Sequence, residues 1–301
     1  MIYPQLQECR ICPRNCGVNR YQIAGYCGAM AELKINLAQL HYGEEPPISG
    51  SRGSGTIFFS HCNLRCVFCQ NHVISLRGSG QIISEEQLLK VIFELQKQGA
   101  HNINLVTPTH YSRPLISVLK AAKEQGLKIP ILWNSSAYEH VETLHNLKGL
   151  VDIYLPDFKY YHPLYAKKYS HAEDYPAVAL KALKEMVAQT GFLQENAAGI
   201  ATKGVLVRLL LLPNGLSGTK DILRLLADEF GTKLPLSLMA QYYPAAEAVY
   251  IPELNRGVKT NEYQAVVELA QEIGFEKVFG QELSCDDQWT PDFTDTDKRG
   301  V

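Results

Sequence analysis

The stretch that organises the chain reads Cys62-Asn63-Leu64-Arg65-Cys66-Val67-Phe68-Cys69. Its three thiols stand at spacings of four and three residues, just after the apolar run Thr56-Ile57-Phe58-Phe59. Three soft ligands this close can hold three irons of a cubane cluster and leave the fourth iron open to a small molecule. A zinc knuckle would need a fourth ligand, for which His61 or His72 is nearest, and chance crowding of buried cysteines is the other alternative. Spacing and position favour the cluster.

This motif resembles that of a known enzyme superfamily. The Cys-x3-Cys-x-aromatic-Cys pattern after a first strand is similar to that of the radical S-adenosylmethionine (SAM) superfamily, and the continuation Gln70-Asn71 resembles the pyruvate formate-lyase-activating enzymes. The strings Gly43-Glu44-Glu45-Pro46-Pro47-Ile48-Ser49-Gly50 and Gly53-Ser54-Gly55-Thr56 are similar to those of a little-characterised branch of that group. The resemblance extends from about Cys9 to about Leu283.

The overall charge and the start of the chain narrow the class of protein. The 301 residues include 29 basic and 31 acidic side chains, so no electrostatic footprint for nucleic acid or an anionic membrane is expected. The first residues, Met1-Ile2-Tyr3-Pro4-Gln5, lack the features of a signal peptide. No apolar run approaches the roughly 20 residues that span a bilayer. We therefore expect a cytoplasmic protein with reduced thiols.

A second group of thiols precedes the first strand, in a segment rich in turn-forming residues. It consists of Cys9, Cys12, Cys16 and Cys27, a set typical of a closed metal site whose metal supplies folding energy. Zinc and an auxiliary iron–sulfur cluster both fit this spacing, whereas disulfides are disfavoured in a reducing compartment. Arg14 and Arg20 either offset the negative charge of a tetrathiolate or are solvated surface residues, and we expect the latter. The remaining Cys285 is interpreted as a bystander thiol.

The chain beyond residue 55 repeats a strand–helix rhythm. Apolar runs predict strands at 56–60, 102–107, 129–133, 151–155, 205–212 and 235–241. Helices are predicted between them, at 138–147 and 176–189 for example, and the Ser84/Gln87 capping box opens one. Such alternation predicts a parallel sheet covered by helices, either a partial barrel or a doubly wound sheet.

The resemblance decides between these two α/β folds, because it implies a partial (β/α)6 TIM-like barrel. We expect a small N-terminal metal-binding segment at residues 1–50, with a short strand starting near Leu33. The radical SAM barrel would then occupy residues 51–283, and residues 284–301 would form a C-terminal tail. Acidic composition after Trp289 indicates disorder there.

Polar residues follow five of the six predicted strands, where the site of a parallel barrel lies. Asp157 and Lys159 stand two residues apart, so their side chains share one face and can either grip a zwitterion or face each other. Arg208 interrupts the apolar run 205–212, and a buried guanidinium needs a partner. That partner is a ligand or a carboxylate inside the barrel, or a purely structural ion pair.

The resemblance implies roles for these positions. Activating enzymes contact the amino group of SAM with a Gly-Gly-Glu turn after strand two, where this chain has Thr107-Pro108-Thr109, so hydroxyls and carbonyls would replace that contact. The family's Asp-x-Lys matches Asp157 and Lys159. The full set of predicted SAM-binding residues is Phe68, Thr107, Thr109, Asn134, Ser136, Asp157, Lys159 and Arg208. We expect His41, Glu44, Glu45 and His110 to have loop or surface roles rather than to line the substrate side.

The resemblance also implies an activity. A [4Fe–4S] cluster on Cys62, Cys66 and Cys69 would bind SAM, and one-electron reduction would release methionine and a 5′-deoxyadenosyl radical. No protein base is needed, so no catalytic side chain is assigned. The radical would abstract hydrogen from a glycine of a protein partner, or from another protein or a small molecule. The electron donor would be a flavodoxin or ferredoxin.

A non-catalytic iron–sulfur protein, either an electron carrier or a redox sensor, is the alternative from another class. A carrier usually ligates every iron fully and needs no pocket. The missing fourth cysteine and the Asp157/Lys159 pair favour the enzyme.

Overall fold

Parallel strands flanked by helices form the wall of a partial barrel in the computed structural model, which describes residues 2–281, 283 and 291–293. Its strands are β1 (Leu33–His41), β2 (Ser54–Phe59), β3 (Gln81–Ile83), β4 (Ile103–Val106), β5 (Ile131–Ser135), β6 (Ile153–Pro156), β7 (Gln194–Glu195), β8 (Ala201–Val205), β9 (Val207–Leu210), β10 (Leu236–Met239) and β11 (Val278–Gly280). Its helices are α1 (Pro46–Ser49), α2 (His72–Ser75), α3 (Glu85–Lys97), α4 (Ser112–Glu124), α5 (Val141–His145), α6 (Pro163–Ser170), α7 (Tyr175–Thr190), α8 (Thr219–Phe230) and α9 (Thr260–Ile273).

Two hydrogen-bonded sheets share this wall. The larger has the order β3-β1-β2-β4-β5-β6-β8-β7, and the smaller has the order β11-β10-β9. They join at Leu206, between β8 and β9, whose N–H donates to the carbonyl of Tyr154 over 3.1 Å. The N–H of Phe158 likewise donates to the carbonyl of Arg208 over 2.9 Å. The α/β class with a mostly parallel central sheet is therefore confirmed.

Local sequence signals account for the helices that cover the sheet. At the start of α3 the Gln87 N–H donates to Ser84 Oγ over 3.1 Å, and the Ser84 N–H donates to Gln87 Oε1 over 2.8 Å, as the capping box predicts. The same helix buries Leu88, Ile92 and Leu95 against the strands. Each of these side chains contributes about 1.5–3 kcal/mol through burial.

Several elements differ from the sequence prediction. Strand β11 was not predicted, because two half-exposed residues and an exposed glycine are too short a run to indicate a strand, and its pairing with β10 holds it in place. The apolar run 205–212 gives two strands rather than one, because the chain moves at Leu206 from pairing with β6 to pairing with β10. Helix α5 is shorter than the predicted 138–147, and Ala137 before it has a φ of 57°.

Residues 43–50 close the barrel at the end opposite the strand C-termini. Ile48 of α1 is fully buried and packs with Leu132, Ile153 and Leu206. Its carbonyl accepts a 2.8 Å hydrogen bond from Asn102 Nδ2. Strand β1, which falls within the predicted N-terminal segment, pairs antiparallel with β2 of the barrel sheet. The loop between these strands is thereby held inside the barrel.

Most of the predicted tail, including Cys285, lies outside the described residues. Of that tail, residues 291–293 are described, and the Phe293 ring packs edge-on against Phe58 with centroids 5.2 Å apart. In the part of the chain that is described, no helix has the length and apolar character needed to cross a bilayer.

Candidate active site

One cavity at the C-terminal ends of the strands brings together most of the predicted site residues. Besides Cys62, Cys66 and Cys69, its walls include Phe68, Thr107, Asn134, Ser136, Asp157, Lys159 and Arg208. Thr109 is buried outside this cavity, where its side chain hydrogen-bonds with Glu139. The site is thus where a parallel barrel places it, and the three thiols form part of its wall.

Residues 62–69, here called the cysteine loop, present their thiols to the cavity with hydrogen-bond donors already in place. The Leu64 N–H lies 3.4 Å from Cys62 Sγ, and the Ser75 hydroxyl donates to Cys69 Sγ over 3.0 Å. Burial raises the pKa of the Cys69 thiol to about 12, with a further increase from Cys66. Metal binding would release these protons, since the thiolate is the ligand. The donor set fits the three-thiolate cluster that the motif predicts.

His61 and His72, the candidate fourth ligands, do not line the cavity. The His61 ring packs against Gly28 and Gly78, and a Cβ added to Gly28 would lie only 2.8 Å from His61 Nδ1. Both glycines also have positive φ, so larger residues are excluded twice over. Burial, aided by Lys34, Arg20 and Arg65, lowers the pKa of His61 to about 4. His61 is therefore a neutral packing residue between Gly28 of the N-terminal segment and Gly78, which follows α2.

Arg208 points into the barrel and is held by protein carboxylates. Its Nε donates to Asp157 Oδ1 over 3.1 Å, its Nη1 to Glu44 Oε2 over 2.9 Å, and its Nη2 to Asn134 Oδ1 over 3.2 Å. Burial alone would lower the pKa of Arg208, but the carboxylates of Asp157, Glu45 and Glu44 outweigh it and raise that pKa. The ion-pair interpretation of Arg208 therefore describes this structure.

Asp157 and Lys159 face each other, with Oδ2 and Nζ 2.7 Å apart. Both oxygens of Asp157 are thus engaged, one by Lys159 and the other by Arg208. Burial would raise the pKa of Asp157, but the two cations hold it below its usual value. Asp157 therefore organises the cations, while Lys159 keeps further N–H donors at the cavity wall.

Glu44 and Glu45 lie inside the barrel rather than in a solvated loop. Glu44 accepts from Arg208 and, at Oε1, from Asn104 Nδ2 over 2.7 Å. Glu45 is buried, and its Oε2 has no hydrogen-bond partner, although it lies 3.9 Å from Arg208 Nη1. A sequence signal existed, since an acidic pair in a Gly/Pro-rich loop is a natural counterpart for a lone arginine in an apolar strand.

The two neighbouring glutamates should respond oppositely to the same substitution. Burial raises the pKa of Glu45, Arg208 opposes this increase, and repulsion by Glu44 adds to it, so that the pKa remains raised. A carboxyl whose folded-state pKa is raised loses stability as pH increases through that pKa, and glutamine cannot ionise. We expect Glu45→Gln to raise the melting temperature at pH 8 and to have less effect at pH 5.

The matched variant Glu44→Gln should lower stability by about 1.5–3 kcal/mol, the contribution of a hydrogen bond to a charged group. Differential scanning calorimetry of both variants across pH 5–8 measures the contrast. A destabilisation by Glu45→Gln at pH 8 would contradict the assignment of a carboxyl whose burial outweighs the opposing effects of Arg208 and Ser237.

The N-terminal segment packs directly on the cysteine loop. Arg14 donates to the carbonyls of Asn63 over 2.7 Å, Leu64 over 2.9 Å and Ser170 over 2.7 Å. Arg20 is fully buried, donates to the carbonyls of His110 and Met30, and lies over the Tyr111 ring. The expectation that Arg14 and Arg20 are solvated was therefore wrong, because each supplies donors to carbonyls that the loops leave unpaired.

The four N-terminal thiols gather in this segment. Cys9, Cys12 and Cys27 are buried, and the sulfurs of Cys16 and Cys27 both lie beside Gly25. All the thiols that the structure describes are free rather than in disulfides. Among the described residues, no three His, Cys, Asp or Glu side chains are arranged around a single metal ion. The metal at this segment stays a prediction.

Three comparisons place the chain among known proteins. A sequence profile of the Radical SAM superfamily matches residues 56–191. The uncharacterized protein MJ0674 of Methanocaldococcus jannaschii is 30% identical over 283 residues, which are 91% of this chain and 77% of that protein.

Two solved structures share the fold. The crystal structure of HydG, a maturase of the [FeFe]-hydrogenase, matches with a TM-score of 0.50 and 18% identity, over 73% of this chain and 48% of that one. The chain thus spans about half the length of HydG. Methylornithine synthase (PylB) matches with a TM-score of 0.50 and 15% identity, over 75% of this chain and 70% of that one.

The chain therefore belongs to the radical SAM superfamily. Membership implies a [4Fe–4S] cluster and SAM as cofactors.

Proposed function

We propose that the cavity binds SAM beside a [4Fe–4S] cluster on Cys62, Cys66 and Cys69, and that the enzyme activates a protein partner of the glycyl-radical type. The observation that carries the proposal is that three thiols of one loop share a cavity with the polar groups at the strand ends. When bound, the cluster and SAM supply a carbon radical able to abstract hydrogen.

The chain's own residues bind and orient SAM in this proposal. Lys159 has N–H donors for the carboxylate of SAM. The backbone of Phe68 would contact the adenine of SAM, and the Phe68 ring is held in place by packing against Tyr160 and Tyr242. Thr107, with a φ of 60°, stands where activating enzymes have a glycine-rich turn. Its hydroxyl and nearby carbonyls would accept from the amino group, and Asn134 and Ser136 would contact the ribose and carboxylate.

A protein substrate agrees with the open form of the barrel wall. Among the described residues, β11 ends the smaller sheet and β3 ends the larger one without pairing to each other. A peptide loop carrying a glycine could enter between these ends, and a flavodoxin or ferredoxin in the cytoplasm would supply the electron. A different protein or a small molecule is the alternative substrate, and a non-catalytic electron carrier or sensor is the alternative of another class.

We propose that Cys9, Cys12, Cys16 and Cys27 bind a metal that folds the N-terminal segment onto the cysteine loop. The Ala29 N–H lies 3.4 Å from Cys27 Sγ, which is the type of donor that supports a bound thiolate. Zinc and a second iron–sulfur cluster both fit the sequence spacing of the four cysteines. Metal analysis separates them, since zinc would accompany about four irons per chain and a second cubane would give about eight.

The test of the proposed function looks for the radical on the partner. The chain is reconstituted anaerobically and given dithionite and SAM, with and without lysate of its source organism. We expect 5′-deoxyadenosine in both samples and a protein-based glycyl radical signal in the electron paramagnetic resonance (EPR) spectrum only with lysate. Lysate from cells grown on glycine labelled at the α-carbon should change the hyperfine splitting.

The controls distinguish the alternatives. Cys66→Ala in place of the unaltered chain should give neither product nor signal. Sustained 5′-deoxyadenosine formation without any glycyl radical would favour another substrate. An intact cluster that never cleaves SAM would favour the electron carrier.

A further inference from the structure

Cys69 of the cysteine loop receives a hydroxyl hydrogen bond from outside the motif. Ser75, the last residue of α2, is buried, and its Oγ lies 3.0 Å from Cys69 Sγ. The backbone fixes this contact, because the N–H of His72 donates to the Cys69 carbonyl over 3.1 Å and that of Ser75 to the Asn71 carbonyl over 2.9 Å. The hydroxyl is therefore held at the sulfur by the turn that follows the motif.

Cys66 has a pair of hydroxyls beside it. Tyr160 and Ser170 are fully buried and their hydroxyls hydrogen-bond to each other over 2.7 Å, which leaves one O–H of the pair to donate to the neighbouring Cys66. Ser170 is positioned by Arg14, which donates to its carbonyl over 2.7 Å. The Tyr160 ring packs against Phe68 with centroids 6.2 Å apart.

Hydrogen bonds to the sulfurs of an iron–sulfur cluster stabilise its more negative, reduced state. Burial strengthens each bond, because no water competes for the sulfur. Ser75 donates such a bond to Cys69, and the Tyr160–Ser170 pair has one O–H available for Cys66, whereas Cys62 has a backbone donor at 3.4 Å. The Lys159 ammonium adds positive charge near Cys66 and Cys69.

We propose that the hydroxyls of Ser75, Tyr160 and Ser170 are positioning groups that raise the reduction potential of the cluster on Cys62, Cys66 and Cys69. They make the cluster easier to reduce by a low-potential donor protein. The proposal rests on the proposed function only in requiring that these thiols hold a cluster.

The test measures the midpoint potential of the loaded protein by EPR-monitored titration with dithionite. Ser75→Ala and Tyr160→Phe each remove a hydroxyl and little else. We expect each to disfavour reduction by about tenfold, which for one electron equals a shift of about 59 mV to more negative potential. Ser75→Thr keeps the hydroxyl and should restore most of the shift. Ser170→Ala combined with Tyr160→Phe should shift less than the sum, since both act on one sulfur.

Two control variants remove hydroxyls that do not touch a thiol. Tyr154→Phe deletes a buried hydroxyl that donates to Gln189 over 2.8 Å, and Ser79→Ala deletes one that lies 3.2 Å from Asn36 Nδ2. Both should leave the potential unchanged.

The outcomes separate the two proposals. Variants that load about four irons at the motif and keep the potential of the unaltered chain would overturn this inference and leave the proposed function intact. Failure of the unaltered chain to load that cluster would overturn the proposed function instead. If Ser75→Ala does not load, Tyr160→Phe decides, because it changes one oxygen in a site whose ring packing stays.

Discussion

Cys66→Ala should abolish the release of 5′-deoxyadenosine from SAM, down to the level of a reaction without protein. Cys66 is buried between Cys62 and Cys69 in one short loop, and no other cysteine lines the cavity among the described residues. Two thiolates cannot hold three irons, so the open iron that binds SAM would be lost. Chromatography of reactions with dithionite and SAM measures the product.

The same samples yield an iron count. Cys66→Ala should lose about four irons per chain and keep whatever metal the N-terminal thiols bind. Cys285→Ser is the matched control, because this thiol is predicted to be a bystander, and it should keep full cleavage. Product from Cys66→Ala at a rate near that of the unaltered chain would remove the basis for the proposed function.

The parts of the fold that could be predicted were those with strong local signals. The apolar runs around β2, β4, β5, β6 and β10 lie within one or two residues of the observed strands, because buried parallel strands must be apolar on both faces. Strand β11 was not predicted, because its three residues form a strand through their pairing with β10 rather than through their own hydrophobic pattern. The break at Leu206 was not predicted, because an apolar run does not show which strand pairs with each of its parts.

The site shows the same division between local and distant information. Arg208 could be recognised as a buried residue in need of a partner, because a single charge stood in an apolar run. Its partner Glu44 was not assigned, because the acidic pair of the Gly/Pro-rich loop was only a general signal, 164 residues separate Glu44 from Arg208 in sequence, and only the fold closes that distance. Thr109 was misplaced because a β-strand end gives no sign of which following residue turns back toward the cavity.

Arg208→Met should lower the free energy of unfolding by about 3–5 kcal/mol, the usual cost of removing one partner from a buried ion pair. The Arg208 side chain is 15% exposed, and Glu44, at 9%, would be left with a charge that water scarcely reaches, whereas Asp157 would keep Lys159 as its partner. Urea unfolding followed by circular dichroism, on chains loaded equally with metal, measures the loss. Arg224→Met is the matched control, because its partner Asp221 is 3.3 Å away in an exposed pair. It should cost less than about 1 kcal/mol.

Neutralising the unpaired carboxylate tests the cause of the loss. Adding Glu44→Gln to Arg208→Met should recover part of the stability, because an amide costs less to bury than an unpaired charge, and Asp157 is left unchanged because it still pairs with Lys159. A purely steric role for Arg208 would give no recovery. If Arg208→Met instead costs no more than Arg224→Met, the carboxylates do not depend on Arg208, and its guanidinium would be free to bind a ligand in the cavity. The difference in unfolding free energy between Arg208→Met and Arg224→Met therefore decides whether Arg208 stabilises the barrel or binds a ligand.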